Sequence, residues 1–377
     1  MAQVRLHKED TTDSSPALFP AGLGFRMPAE WEPMAATWLA WPHNRTDWPG
    51  KFEPIPYVYA EIVRHLSRAG RVELIVKDEA HEQSALGVLT KANVLPARGE
   101  NVRCHRWPTN RGWLRDSGPI FVKRNNVKRK DGEVAAVNWR FNAWAKYRNW
   151  QLDDQLPERA AELLGMRRFD PLFPVHGKSR RFVLEGGSID VNGRGLLLTT
   201  EECLLSEVQQ RNPGLSREEI ELVLGRYLGI KKFLWLGRGI VGDDTHGHVD
   251  DIARFVGPRT VVAAYEPDRS DPNFEPLHDN FRRLSKMTDT AGQRLEVVKL
   301  PMPAPVVFDG QRVPASYANF YIFNRVVLVP VFNDKNDRVA LNTLAEVLPK
   351  HEIVPIYCGD LIWGLGAIHC MTQQQPK

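Results

Sequence analysis

The chain has 377 residues, 42% of them hydrophobic and 25% charged, with a formal charge of +4. It holds enough apolar material for a large core, and its mild basic excess, without a dense Lys/Arg run interleaved with aromatics, excludes a nucleic-acid groove as the first expectation. Its longest apolar runs, such as "VVLVPVF" at 326–332, are too short to cross a bilayer, and the charged opening "MAQVRLHKEDTTDSSP" lacks the apolar stretch of a signal peptide, so the expected location is the cytoplasm.

Residues 1–25, polar and rich in Ser, Thr and Asp, are expected to form a flexible N-terminal segment. From 26 to 377 a single domain is expected. Length alone would allow two, but no Pro/Gly/Ser linker interrupts 30–370. Within this body an amphipathic helical stretch followed by a β-branched run keeps returning. "YVYAEIVRHLSRAG" leads into "RVELIVK", "SREEIELVLGRYLG" into "IKKFLWLG", "FEPLHDNFRRLSKMTDTAG" into "QRLEVVKL", and "RVALNTLAEVLPK" into "HEIVPIYC". A weaker copy starts at "LDDQLPERAAELLG". About five α/β modules result, and their spacing fits units closed around an axis as well as it fits a doubly wound sheet.

The four cysteines, Cys104, Cys203, Cys358 and Cys370, lack CxxC spacing, which argues for reduced thiols over a zinc ribbon or disulfide framework. Trp107, Trp113, Trp139 and Trp144 crowd one region, either as core or as the wall of a pocket that grips an aliphatic or cationic ligand.

Four polar stretches could carry chemistry. In "NRGWLRDSGPIFV" Asp116 is a turn-former or a site acid. In "VLEGGSIDVNGRGLLLTT" the "VNGRG" reads as a hairpin turn, and "EGG" places Glu185 beside two residues that let another backbone come close. In "VGDDTHGHVDDIARFV" the His-x-His-x-Asp spacing admits a zinc reading. If that segment is extended from 247, however, His248 and Asp250 share one face while Asp251 takes the other. Last, "GAIHCMTQQQP" puts a cysteine seven residues from the chain end; in an extended chain His369 and Cys370 diverge, so the base for the thiol comes from elsewhere. A cysteine protease needs donors around an amide carbonyl, whereas two carboxylates suit a planar guanidinium and leave its central carbon open to attack.

Taken in order, "FRMPAEWEPMAATWLAWPHNRTDW", "WLRDSGP", "RFNAWAKYRNW", "EGGSID", "GHVDD" and "GAIHCMTQQQP" resemble the agmatine deiminase and bacterial-type peptidyl-arginine deiminase family from about Phe25 onward. The resemblance implies a pentein fold, a five-bladed α/β propeller of ββαβ-type modules with the site on its axis. It implies Cys370 as nucleophile, His248 as general acid/base, Asp116 and Asp250 as the guanidinium-binding pair, and Glu185 as support for His248, with Trp113 and Trp144 along the substrate. No metal and no organic cofactor are expected, and neither a nucleic-acid nor a membrane partner. Nothing in the sequence requires or forbids a homodimer. The implied reaction converts agmatine to N-carbamoylputrescine and ammonia, a step of putrescine and polyamine synthesis. The alternative is deimination of free or peptidyl arginine to citrulline, and a remoter one is a non-catalytic guanidine-binding module. The departure from the family's usual "WGG" at "WAK" puts Lys146 either in solvent or against a substrate carboxylate.

Overall fold

The computed structural model describes residues 19–95, 99–126, 129–175 and 178–377. Most of the segment expected to be flexible, residues 1–18, lies outside them. From Phe19 on, the chain is packed: Ala21–Leu23 forms a short 3-10 turn, Phe19 meets Tyr227 edge to face at 5.6 Å, and Phe25 is buried.

Five sheets repeat one connectivity. A first strand pairs antiparallel with a second; a helix then crosses over, and a third strand returns parallel to the second. Parallel neighbours cannot be joined by a tight turn, so each sheet acquires a helix on its outer face. One module is built from Ile120–Asn126, Arg129–Val137, the helix Leu156–Leu163 and Arg167–Phe169. The next uses Asp190–Val191, Leu196–Thr200, the helix Arg217–Leu228 and Lys232–Leu236. Another takes Ala253–Phe255, Thr260–Tyr265, the helix Phe274–Lys286 and Glu296–Pro301. The fourth comprises Tyr321–Phe323, Val326–Val331, the helix Asp337–Val347 and Glu352–Tyr357. In the fifth, the C-terminal strand Gln373–Pro376 pairs antiparallel with Met34–Ala40, which continues through the helix Ile55–Ala69 to the parallel strand Arg71–Val76. The repeat has the α/β character and module count of the five-bladed propeller expected above.

Local sequence explains the helices. In Phe274–Lys286 the buried positions are Leu277, Asn280 and Leu284, one stripe at helical spacing with charged side chains elsewhere. The helix Arg217–Leu228 opens on a capping box. The Ser216 hydroxyl accepts from the Glu219 N–H, and the Glu219 carboxylate accepts from the Ser216 N–H at 2.8 Å. It ends at Gly229 with φ 71°, where a side chain would also strike the Phe25 carbonyl. Loss of the Ser216 cap would cost about 1 kcal/mol.

The docked C-terminus answers why a thiol stands so near the chain end. Gln373–Pro376 is a structural strand, and its three buried glutamines are all satisfied. Trp38 Nε1 donates to Gln375 at 3.0 Å, Arg115 Nη1 donates to Gln373 and Gln374 at 2.8 and 2.7 Å, and Gln373 Nε2 donates to the Pro119 carbonyl at 2.9 Å. Buried amides without such partners would each cost on the order of 1–3 kcal/mol, so the run "QQQ" specifies this docking and no other.

Candidate active site

In every module a short turn leads directly into the first strand, and these turns pack on one another. They are Leu114–Ser117, Gly186–Ser188, Val249–Asp251, the segment from Ser316 to Asn319, and Ile368–Met371. They deliver Asp116, Glu185, His248 with Asp250, Asn319, and Cys370. Two local expectations are corrected. His248 and Asp250 meet through a 3-10 turn and not by strand alternation, since the strand begins only at Ala253. Cys370 lies in a helical turn, not in an extended chain.

Asp116 accepts from Trp144 Nε1 on Oδ2 at 2.9 Å and from the Gly187 N–H on Oδ1 at 3.0 Å. Gly187 is required there, because a Cβ would lie 2.5 Å from His248 Nδ1 and 2.9 Å from Asp116 Oδ1. Asp250 accepts from His369 Nδ1 on Oδ2 at 2.6 Å, while its Oδ1 has no partner among the described residues. His248 is fully buried, and neither ring nitrogen has a hydrogen bond to any described residue. Its Nδ1 faces Asp116 at 3.8 Å and Asp250 at 4.0 Å, and its Nε2 faces Glu185 at 3.7 Å. Glu185 in turn receives Arg211 Nε at 3.1 Å. Cys370 Sγ accepts from Asn319 Nδ2 at 3.1 Å and lies 3.9 Å from Asp250 Oδ2.

The charges follow. Burial foremost pushes the Asp116 carboxyl up to about 6, with Asp250 and Glu185 adding to the rise and His248 opposing it. For Asp250 burial again acts upward, but His369, then His248 and Arg254, carry it below the usual carboxylate range. Burial, Asp250 and Asp243 hold Asp251 well above that range. Burial would lower the His248 imidazole, yet Asp116, Cys203 and Glu185 carry it well above its ordinary value. Burial, then Asp250, Asp251 and Asp116, push the Cys370 thiol far up.

Asp116, Cys370, Trp113 and Trp144 line a cavity of about 350 Å³ whose outer wall includes Asp47, Arg111, Tyr147 and Asp244. The tryptophans therefore divide. Trp113 and Trp144 face this cavity, while Trp107 packs on Trp38 at 5.8 Å and Trp139 on Phe182 at 5.6 Å. Lys146 is turned onto Asp244, which also takes the Tyr147 hydroxyl at 2.7 Å. The His-x-His-x-Asp spacing does not assemble into one ligand set, because His246 is turned onto Ser206 at 3.1 Å. Among the described residues two groups have ligand atoms within 4.8 Å of each other, Glu185–Cys203–His248 and Asp250–Asp251–Cys370, and both are built mainly from the side chains named above.

Sequence reasoning missed Asn319, Arg211, Cys203 and Glu30. Asn319 had a signal. It stands just before "FYIF" as the other turns stand before their strands, but an amide advertises no titratable chemistry.

Comparisons with known proteins show what the chain is similar to. The family model of Porphyromonas-type peptidyl-arginine deiminase matches residues 26–376. The agmatine deiminase of Ectopseudomonas mendocina is 36% identical, with 95% of this chain and 97% of that protein covered. The solved agmatine deiminase of Enterococcus faecalis superposes with a TM-score of 0.84 at 35% identity, covering 95% of this chain and 98% of that one. A cysteine-to-serine variant of the C. jejuni agmatine deiminase with substrate bound gives a TM-score of 0.80 at 30% identity, covering 94% and 96%. With its fold and nearly its whole length shared, this chain belongs to the Porphyromonas-type peptidyl-arginine deiminase family.

Proposed function

We propose that the protein is a guanidine deiminase, a hydrolase of C–N bonds, and that its substrate is agmatine, giving N-carbamoylputrescine and ammonia as a step toward putrescine. The observation that carries this reading is a buried thiol facing two carboxylates, Asp116 and Asp250, of which one oxygen is wholly unpartnered. A planar cation with N–H donors on its edges satisfies those acids and presents its carbon to the sulfur. All these groups come from one chain, in one catalytic domain spanning 26–377, and the reading needs no second subunit. No helix among the described residues is long and apolar enough to cross a membrane. The free thiols suit a reducing, cytoplasmic setting.

Burial first, and then three neighbouring acids, keep Cys370 protonated until substrate arrives. Entry of the guanidinium neutralises their field, and the thiol proton leaves to solvent. The thiolate attacks the guanidinium carbon, forming a C–S bond and a tetrahedral adduct. The imidazolium of His248 protonates one amino group, the C–N bond breaks, and ammonia departs, leaving an amidino thioether on Cys370. Neutral His248 then takes a proton from water, whose oxygen adds to the same carbon. The C–S bond breaks, the protonated ureido product gives its extra proton to ammonia or solvent, and thiolate and imidazolium are restored. Glu185, fixed by Arg211, holds the imidazole through both transfers. Trp113, packed at a tilt against Trp48 with ring centroids 5.3 Å apart, offers its face to the aliphatic chain.

The outer wall favours a distal ammonium over a carboxylate. Arg111 is paired with Asp47 and Lys146 with Asp244, and the second Asp47 oxygen, buried, has no partner. Arg111 meets only one oxygen of that buried acid, and a ligand cation would satisfy the other. Ammonia release measured over agmatine, arginine and C-terminal arginine peptides tests the reading. Agmatine is expected to give the highest kcat/KM, and Cys370→Ser no turnover with the fold retained. Release from guanidines at the wild-type rate by the Cys370→Ser protein would end it.

A further inference from the structure

We propose that His369 is a positioning residue: it clamps Asp250 from behind, so that the free carboxylate oxygen points at the substrate guanidinium. This rests on the deiminase reading above but concerns a group that touches none of the reacting atoms. Both ring nitrogens of His369 meet buried carboxylates, Nδ1 on Asp250 Oδ2 at 2.6 Å and Nε2 on Glu30 Oε2 at 2.8 Å. Ionised carboxylates only accept, so both nitrogens act as donors, an arrangement open to imidazolium and to no neutral tautomer. Glu30 is itself fixed. Its other oxygen takes the Ile322 N–H at 2.7 Å and faces Arg254 Nη2 at 2.9 Å, and Arg115 Nη2 stands 3.6 Å from Oε2. The His369 backbone is anchored as well, its N–H on the Asn319 side chain at 2.9 Å and its carbonyl under Arg115 Nε at 3.2 Å.

The consequence is geometric. With Oδ2 held, Asp250 cannot rotate, and Oδ1 is left without a partner beside His248. Because His369 precedes Cys370 in the same helical turn, one backbone element fixes both the acid that binds the cation and the sulfur that attacks it. Misplacing a catalytic group by about 1 Å costs on the order of 10²-fold in rate, which is the scale of what such a coupling protects. The charged and titratable groups facing His369 are Asp250, Glu30, Arg115, Arg254 and Asp190, with the Tyr321 ring at 6.3 Å. Removing the imidazole leaves Asp250 without its donor, so its carboxyl rises and the acid limb of activity moves to higher pH.

The test compares His369→Gln with Glu30→Gln. Glutamine at 369 can donate to one carboxylate while presenting an acceptor to the other. Glutamine at 30 leaves the Nδ1–H on Asp250 and gives Nε2 a donor. In the Cys370→Ser background, titration calorimetry with agmatine is expected to show affinity weakened by roughly 30-fold or more for His369→Gln and by less than about fivefold for Glu30→Gln. In the active enzyme kcat/KM for His369→Gln should have an acid limb displaced upward. A folded His369→Gln protein with wild-type affinity and an unmoved acid limb overturns the proposal. Should that variant not fold, nitrogen-15 spectra of histidine-labelled wild-type protein decide. Two protonated ring nitrogens at pH 7.5 are expected, and a neutral single tautomer overturns it. Failure of wild-type protein to release ammonia would defeat the deiminase reading instead, and the binding ratio would still judge His369.

Discussion

Asp116 and Asp250 are the same residue type, equally buried and delivered by matching turns of two modules, yet they are held in opposite ways. Asp116 rests on two neutral donors, an indole N–H and a backbone N–H, and its carboxyl is pushed up to about 6. Asp250 rests on an imidazole backed by Glu30 and two arginines, and its carboxyl is held below the usual range. The lesson is that burial sets the size of the problem and the partner sets its sign: a dipole tempers the cost of a buried charge, whereas a counter-charge reverses it.

The contrast breaks hardest at Asp250. Asp250→Asn strands His369 against Glu30 alone and removes the fixed negative charge, so kcat/KM for agmatine is expected to fall by roughly 10²–10⁴-fold, the range for breaking a buried pair. Steady-state ammonia release measures it. Asp116→Asn keeps its acceptor toward Gly187 but loses the charge and the acceptor for Trp144 Nε1, for an expected loss of roughly 10–10²-fold. The same comparison has a pH signature. Asp116 must be ionised to bind the cation, so wild-type kcat/KM should decline as pH falls through about 6, the value its burial imposes, and that limb should vanish in Asp116→Asn. A limb that persists there would assign the titration to another group.

A gentler change sharpens the contrast from the dipole side. Trp144→Phe deletes one donor to ionised Asp116, which raises its carboxyl further, shifts the acid limb to higher pH and raises KM a few-fold. The smallest effect concerns the turn that carries Trp144. Ala143, Trp144 and Ala145 have φ of 51°, 58° and 53°, the left-handed region in which a side chain costs on the order of 1 kcal/mol per residue. Ala145→Gly should raise thermal stability by about that amount with agmatine turnover retained, and calorimetric unfolding would show it.

Much of the fold was legible because its repeat is local. The helical stripes and the β-branched runs after them stand in the sequence, as at Phe274–Lys286 with Glu296–Pro301. The site was legible where a residue is rare or chemically loud: a late cysteine, a His-Val-Asp, an acid before two glycines. It was not legible where role depends on distance. Glu30 lies in a proline-flanked stretch without periodicity, and only tertiary contact brings it to His369, 339 positions away. Asn319 looks like any loop amide until it is found donating to the thiol.

By itself, then, the sequence determined the modules and the order of the site motifs, because periodicity acts over short stretches of chain. Only the tertiary structure decided where the glutamine strand docks, which imidazole faces Asp116 and Glu185 and which one stands behind Asp250. Those are matters of through-space electrostatics, in which neighbours within about 4 Å outweigh anything adjacent in sequence.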